Sequence, residues 1–70
     1  MKISARNQYK GKVLSIKEGA VNAIVTIDIG GGNKMSATIS LEAVKELGLA
    51  VGKEAYTLVK ATSVMVGIDE

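Results

Sequence analysis

Apolar and polar residues alternate through most of the chain. Val21, Ala23, Val25, Ile27 and Ile29 alternate with Asn22, Ile24, Thr26 and Asp28, the period of two of a strand with one buried face. A mixed strand precedes it from Tyr9 to Lys17, with Val13, Leu14 and Ile16 as its apolar members and Glu18-Gly19 as the turn. Gly30-Gly31-Gly32-Asn33 then reads as a hairpin loop, because these residues tolerate positive φ. Met35, Ala37 and Ile39, alternating with Ser36, Thr38 and Ser40, form a third strand. At Ser40 the period lengthens. Leu41, Val44 and Leu47 recur at i, i+3 and i+6, which predicts a short amphipathic helix. Ser40 is a suitable N-cap, Glu42 suits the first turn, and Gly48 ends the helix. After a loop from Leu49 to Lys53, two more strands are expected near Glu54–Lys60 and Ser63–Ile68, the second with Val64, Val66 and Ile68 on one face. The order predicts an all-β chain with one short helix, a five-stranded OB-fold-like barrel spanning residues 1–70 as a single domain.

Size changes this picture. A 70-residue chain buries only about 60% of its unfolded surface, and this one has no Cys for a disulfide and no Cys or His for structural zinc. Association is the remaining support for a small fold, and 47% hydrophobic residues are more than a monomer of this length easily hides. An oligomer is therefore expected. Net charge is only +2, but Lys2, Arg6, Lys10, Lys12 and Lys17 all precede the first acid, Glu18. That is either a solvated strand face or a functional positive field. No apolar run reaches membrane-spanning length and no secretory h-region follows the start, so no membrane partner and a cytoplasmic location are expected.

Catalysis is the weakest reading. Without His or Cys the usual general base and thiolate nucleophile are missing. Glu42 and Glu46 share a helix face, as solvated residues commonly do, and Lys60 has no catalytic companion. The three glycines join two strands and lack the Lys-Ser/Thr and helix of a phosphate loop. A small OB-type nucleic-acid-binding module is the alternative. Single-strand binding draws on aromatic stacking platforms, however, and Tyr9 and Tyr56 are the only aromatic residues.

Three donor clusters point to a small anion. The first is Ser4-Ala5-Arg6-Asn7-Gln8, which, if extended, places the Ser4 hydroxyl and Arg6 guanidinium on one face. The second is Ser40, at a helix start where N–H groups are free. The third is Lys60, late in an apolar strand and followed by Thr62 and Ser63. An ordinary cap explains Ser40 alone, and a snorkelling strand-end lysine explains Lys60 alone. A tetrahedral dianion without protons needs donors on every side, and these clusters donate.

Met-Lys-Ile-Ser-Ala-Arg-Asn-Gln at the start, Gly11-Lys12-Val13, Ile39-Ser40-Leu41 and Val59-Lys60-Ala61-Thr62, in this order, resemble the Mop-type molybdate-binding proteins, or molbindins. The resemblance covers essentially the whole chain in one copy. It implies an OB-like fold and a hexamer built as a trimer of dimers, with molybdate or tungstate bound between subunits and no catalytic cofactor. Carried over by motif, the ligand-binding residues are Ser4, Ala5 and Arg6 of the opening string, Ser40 through its hydroxyl, Lys60 through its charge and Ala61 through its N–H. Members of the family often carry a second hydroxyl three residues after the first, where this chain has Ala43. The resemblance implies a non-enzymatic role in cytoplasmic molybdenum storage or homeostasis.

Overall fold

The computed structural model describes residues 1–70. Its elements are β1 (Asn7–Glu18), β2 (Asn22–Gly30), β3 (Asn33–Ser40), α1 (Leu41–Glu46) and β4 (Glu54–Val59), followed by one 3-10 turn at Ala61–Ser63. The strands form one antiparallel sheet in the order β3-β2-β1-β4. β1 is the hinge of this sheet. Its first half, Asn7 to Lys12, pairs with β4, and its second half, from Lys12 onward, pairs with β2. The register slips between Val13 and Ser15, so that Leu14 bulges outward, 40% exposed. Such a bulge bends its strand and increases the local twist. It also lets Val13 and Ile16, three apart, both face inward against Ile27 and Val25.

The inward set is the one the alternation predicts except at Val21, which lies in the bend before β2 and is 72% exposed. Val13, Ala23, Val25, Ile27 and Val44 are buried and in mutual contact, with Ile16, Ile29, Ile39, Leu41, Leu49 and Ala55 packed around them. Where β1 crosses from one partner to the other, Gly11 lies against the Asp28 backbone. A Cβ there would collide with the Asp28 carbonyl and come within 2.9 Å of Ile27 Cγ2. The glycine requirement here is for space and not for unusual φ. The β2–β3 hairpin does require φ, since Gly30, Gly31 and Gly32 sit at +95°, +63° and +80°.

α1 starts as expected. The Ser40 hydroxyl accepts from the Ala43 N–H at 3.0 Å, and the Leu41 N–H donates to the Val21 carbonyl at 3.0 Å. Of the predicted helical stripe, Val44 is buried and Leu41 half-buried, whereas Leu47 is 68% exposed. Leu47 is the C-cap of a six-residue helix and lies about 120° round the axis from Leu41, off the core-facing side.

The expected fifth strand does not form within the chain. After the 3-10 turn, Val64 to Ile68 pair with nothing, and Val66 and Ile68 are 93% and 89% exposed. One chain therefore supplies four strands of the barrel, not five. β3 and β4 are left as free edges facing across a cleft of about 490 Å³. Periodicity marks Val64, Val66 and Ile68 as one face of a strand. Strand formation also needs a partner, and no edge within this chain receives them.

Candidate anion-binding site

Antiparallel pairing of β1 with β4 joins two distant parts of the sequence. Asn7 sits opposite Val59, and the Asn7 side-chain amide donates to the Val59 carbonyl at 3.2 Å. The segment before β1 therefore lies beside the segment after β4. Together they form an open hollow of about 470 Å³, lined by Ser4, Ala5 and Arg6 on one side and Lys60, Ala61 and Thr62 on the other, with Ile3 and Leu58 completing it.

Five of the six residues expected from sequence thus meet in one place. The opening string is not extended, however. The backbone bends at Ser4 and at Arg6, and the strand begins only at Asn7. The Gln8 side-chain amide reaches back to donate to the Ala5 carbonyl at 3.2 Å, which supports the bent path. Ser4 and Arg6 come to the hollow by this bend and not by the alternation of a strand. Opposite them, the Ser63 N–H donates to the Lys60 carbonyl at 2.8 Å and closes the turn that carries Ala61 and Thr62. The Thr62 hydroxyl was not among the expected ligands. Its signal in the sequence is its place directly after Lys60-Ala61.

The hollow is electropositive. The one ion pair of the chain is Lys10 with Glu54 at 3.1 Å, so neither Arg6 nor Lys60 is neutralised by a carboxylate. That pair holds Lys10 above the ordinary lysine range, through the hydrogen bond and then the charge of Glu54. It is exposed and lies outside the hollow. Ser4, Arg6, Lys60 and Ala61 are all exposed as well. Donors spread on an open surface hold an anion weakly, because water and salt screen them.

Ser40 lies elsewhere. It pairs with Asn22 at the far end of β3, next to the turn that follows Glu18. From Asn7 to Glu18 the path along β1 is on the order of 35 Å. The site's two halves therefore do not meet within one chain. Ser40 also differs in its local chemistry from a free helix start. Two of the first three helical N–H groups, those of Leu41 and Ala43, are already bonded to Val21 and Ser40. What remains at Ser40 is its own O–H. A hydroxyl has one donor and two acceptor lone pairs, so accepting from Ala43 leaves the hydrogen free to donate.

A curled four-stranded sheet with a donor-rich hollow at one end and a second hydroxyl at the other defines a small anion-binding module of the OB type. Residues 3–66 match the model of the TOBE domain. A probable molybdenum-pterin-binding protein of Haemophilus influenzae is 74% identical over 69 residues, covering 99% of this chain and all of that protein. The solved structure of a molybdate-binding protein from Sporomusa ovata superposes with a TM-score of 0.89 at 37% identity, covering 97% of this chain and 100% of that one. ModG, described as a cytoplasmic molybdate-binding protein and solved with molybdate bound, gives a TM-score of 0.82 at 57% identity, over 87% of this chain and 43% of that chain. The chain belongs to the TOBE-domain family, among its Mop-type proteins.

Proposed function

We propose that the protein binds molybdate, or tungstate, as an oxyanion held between subunits, and serves cytoplasmic molybdenum storage or homeostasis without catalysing a reaction. The binding of molybdate by the Sporomusa ovata protein and by ModG supports the ligand, and the cytoplasmic description of ModG supports the location. The carrying observation is the division of the donors. Ser4, Ala5, Arg6, Lys60 and Ala61 share one hollow, and Ser40 stands at the opposite end of the sheet. A donor set that includes all six requires two chains. This is the physical reason to favour an interchain site and an oligomer, with the hexamer as the assembly the family resemblance implies.

Covering the open hollow with a second subunit would remove water from donors that are exposed in the single chain. A hydrogen bond with a charged partner is worth about 1.5–3 kcal/mol net. Several converging on one dianion reach micromolar affinity or better when pre-organised. A set made only of donors disfavours hydrogen phosphate, whose proton would face another donor. Isothermal titration with molybdate, tungstate, sulfate and phosphate tests the reading. Saturable molybdate binding near one anion per chain, with phosphate silent, is expected. Equal weak binding of all four anions would reduce the hollow to a basic surface.

A further inference from the structure

Each wall of the anion hollow is tied to the start of β1 by a side-chain amide. The Gln8 carboxamide donates to the Ala5 carbonyl at 3.2 Å, and the Asn7 carboxamide donates to the Val59 carbonyl at 3.2 Å. Asn7 and Gln8 are consecutive strand residues, so their side chains leave β1 on opposite faces. Each therefore reaches a different wall. Gln8 holds the bend that carries Ser4, Ala5 and Arg6, and Asn7 holds the strand end that leads into Lys60 and Ala61. The two tethers differ in weight. No other hydrogen bond reaches residues 1–6, so the bend depends on Gln8 alone. The Asn7 bond adds to a backbone pairing of Asn7 with Val59 that is already in place.

A bonded carbonyl also fixes the group on the other side of its peptide. In a planar trans peptide the C=O of one residue and the N–H of the next point in opposite directions, and every peptide here is trans. Holding the Ala5 carbonyl thus orients the Arg6 N–H, and holding the Val59 carbonyl orients the Lys60 N–H. Both N–H groups lie outside the strands, and neither donates to an acceptor within the chain. Both belong to residues that line the hollow and that no carboxylate neutralises. The two carbonyls are acceptors, which repel a dianion, and the amides engage them. An amide does so without charge. Asp or Glu in either place would offer only acceptors at neutral pH and would lower the positive potential of the hollow.

We propose that Asn7 and Gln8 are the positioning residues of the oxyanion site. Neither lines the hollow. Gln8 sets the donors of the Ser4–Arg6 wall, and Asn7 sets those of the Lys60–Ala61 wall. Donors fixed before the ligand arrives lose less freedom on binding, which is how a residue that touches no ligand raises affinity. The assignment rests on the oxyanion reading of the hollow.

The test is molybdate titration of the full chain, parent and variants, with amide nitrogen relaxation of each protein in the absence of molybdate. Gln8→Met keeps the side-chain length and removes the donor; it weakens binding about five- to tenfold, the loss of one hydrogen bond. Asn7→Leu weakens it about two- to fivefold, and Asn7→Ala stands in if the Leu variant loses its β-sheet circular dichroism. Residues that act on one wall are coupled. Gln8→Met with Ser4→Ala loses less than the product of the two separate losses, and so does Asn7→Leu with Lys60→Ala. The crossed pairs, Gln8→Met with Lys60→Ala and Asn7→Leu with Ser4→Ala, multiply within about twofold. Without molybdate, Gln8→Met raises the nanosecond mobility of residues 4–6 alone, and Asn7→Leu that of residues 60–62 alone. Variants that bind as the parent does, or same-wall pairs that multiply like the crossed pairs, overturn the assignment and leave the two amides as supports of the fold. If the parent binds no molybdate, the oxyanion reading falls and the relaxation measurement decides whether the amides hold the walls; unchanged mobility in both variants overturns that as well.

Discussion

Replacing Gly11 with alanine adds a single methyl group at the point where β1 passes from β4 to β2. The methyl would overlap the Asp28 carbonyl oxygen and press on Ile27 Cγ2 at 2.9 Å. Neither neighbour is a flexible side-chain end. Asp28 is backbone-paired with Lys12, and Ile27 is a core residue paired with Val13. Relief requires β1 and β2 to separate locally. Two inter-strand hydrogen bonds at about 1 kcal/mol each are then strained or lost. Disturbed packing around Val13 and Ile27 adds about 1 kcal/mol or more. Alanine's lower unfolded-state entropy returns about 0.5–1 kcal/mol. The net is a loss of about 2–3 kcal/mol. For a chain of this length each kcal/mol moves the melting midpoint by about 7 °C, so the expected fall is about 15–20 °C. Thermal circular dichroism at fixed protein concentration measures it. Lys12→Ala, one residue along and exposed, is the control and should shift the midpoint by no more than about 3 °C. A Gly11→Ala protein that melts with the control would refute the close approach.

Other outcomes follow from the hollow and its surroundings. Lys60→Ala should weaken molybdate binding by about 10–150-fold, the loss of one charge-assisted contact, whereas Lys17→Ala, outside the hollow, should change it less than twofold; equal effects in titration would indicate a diffuse field. Excess molybdate should raise the melting midpoint, because a ligand bound only by the folded, assembled protein stabilises it by mass action; an unchanged midpoint counts against an interchain site. Ser40→Ala should cost about 1 kcal/mol of stability through the lost cap at Ala43, and should also weaken molybdate binding; a variant that melts lower but binds normally would leave Ser40 as a cap alone. Lys10→Met should leave the midpoint nearly unchanged in thermal circular dichroism, since water and salt screen an exposed ion pair. What the pair contributes is present below the ordinary lysine pKa and fades as pH rises through the raised one.

Alternation along the sequence was sufficient to place β2, β3, β4 and the start of α1 and to choose the inward residues Ala23, Val25 and Ile27. These depend on local periodicity and capping, which a sequence carries directly. The bulge at Leu14 was not legible, because it depends on how β1 changes partners midway. The unpaired segment Val64–Ile68 reads as a strand for the same reason that the others do; whether a strand has a partner is a property of the whole assembly. In the hollow, Lys60 and Arg6 were legible as positive groups, but their meeting depends on a pairing between Asn7 and Val59, 52 positions apart. Ser40 was legible as a cap. Its separation from the other donors follows from sheet order, which periodicity does not contain.

That long-range pairing also sets an order of events in folding. The β2–β3 hairpin closes over a few residues and encounters little entropic resistance. The contact of Asn7 with Val59 encloses nearly the whole chain, so it forms after the hairpin and carries the larger closure cost. The two walls of the anion hollow therefore come together only at this last closure. An anion cannot act as a template for the early steps. Were an anion bound between these walls, it would hold the finished chain shut, slowing the first opening of β1 from β4 and leaving the rate of hairpin formation unchanged.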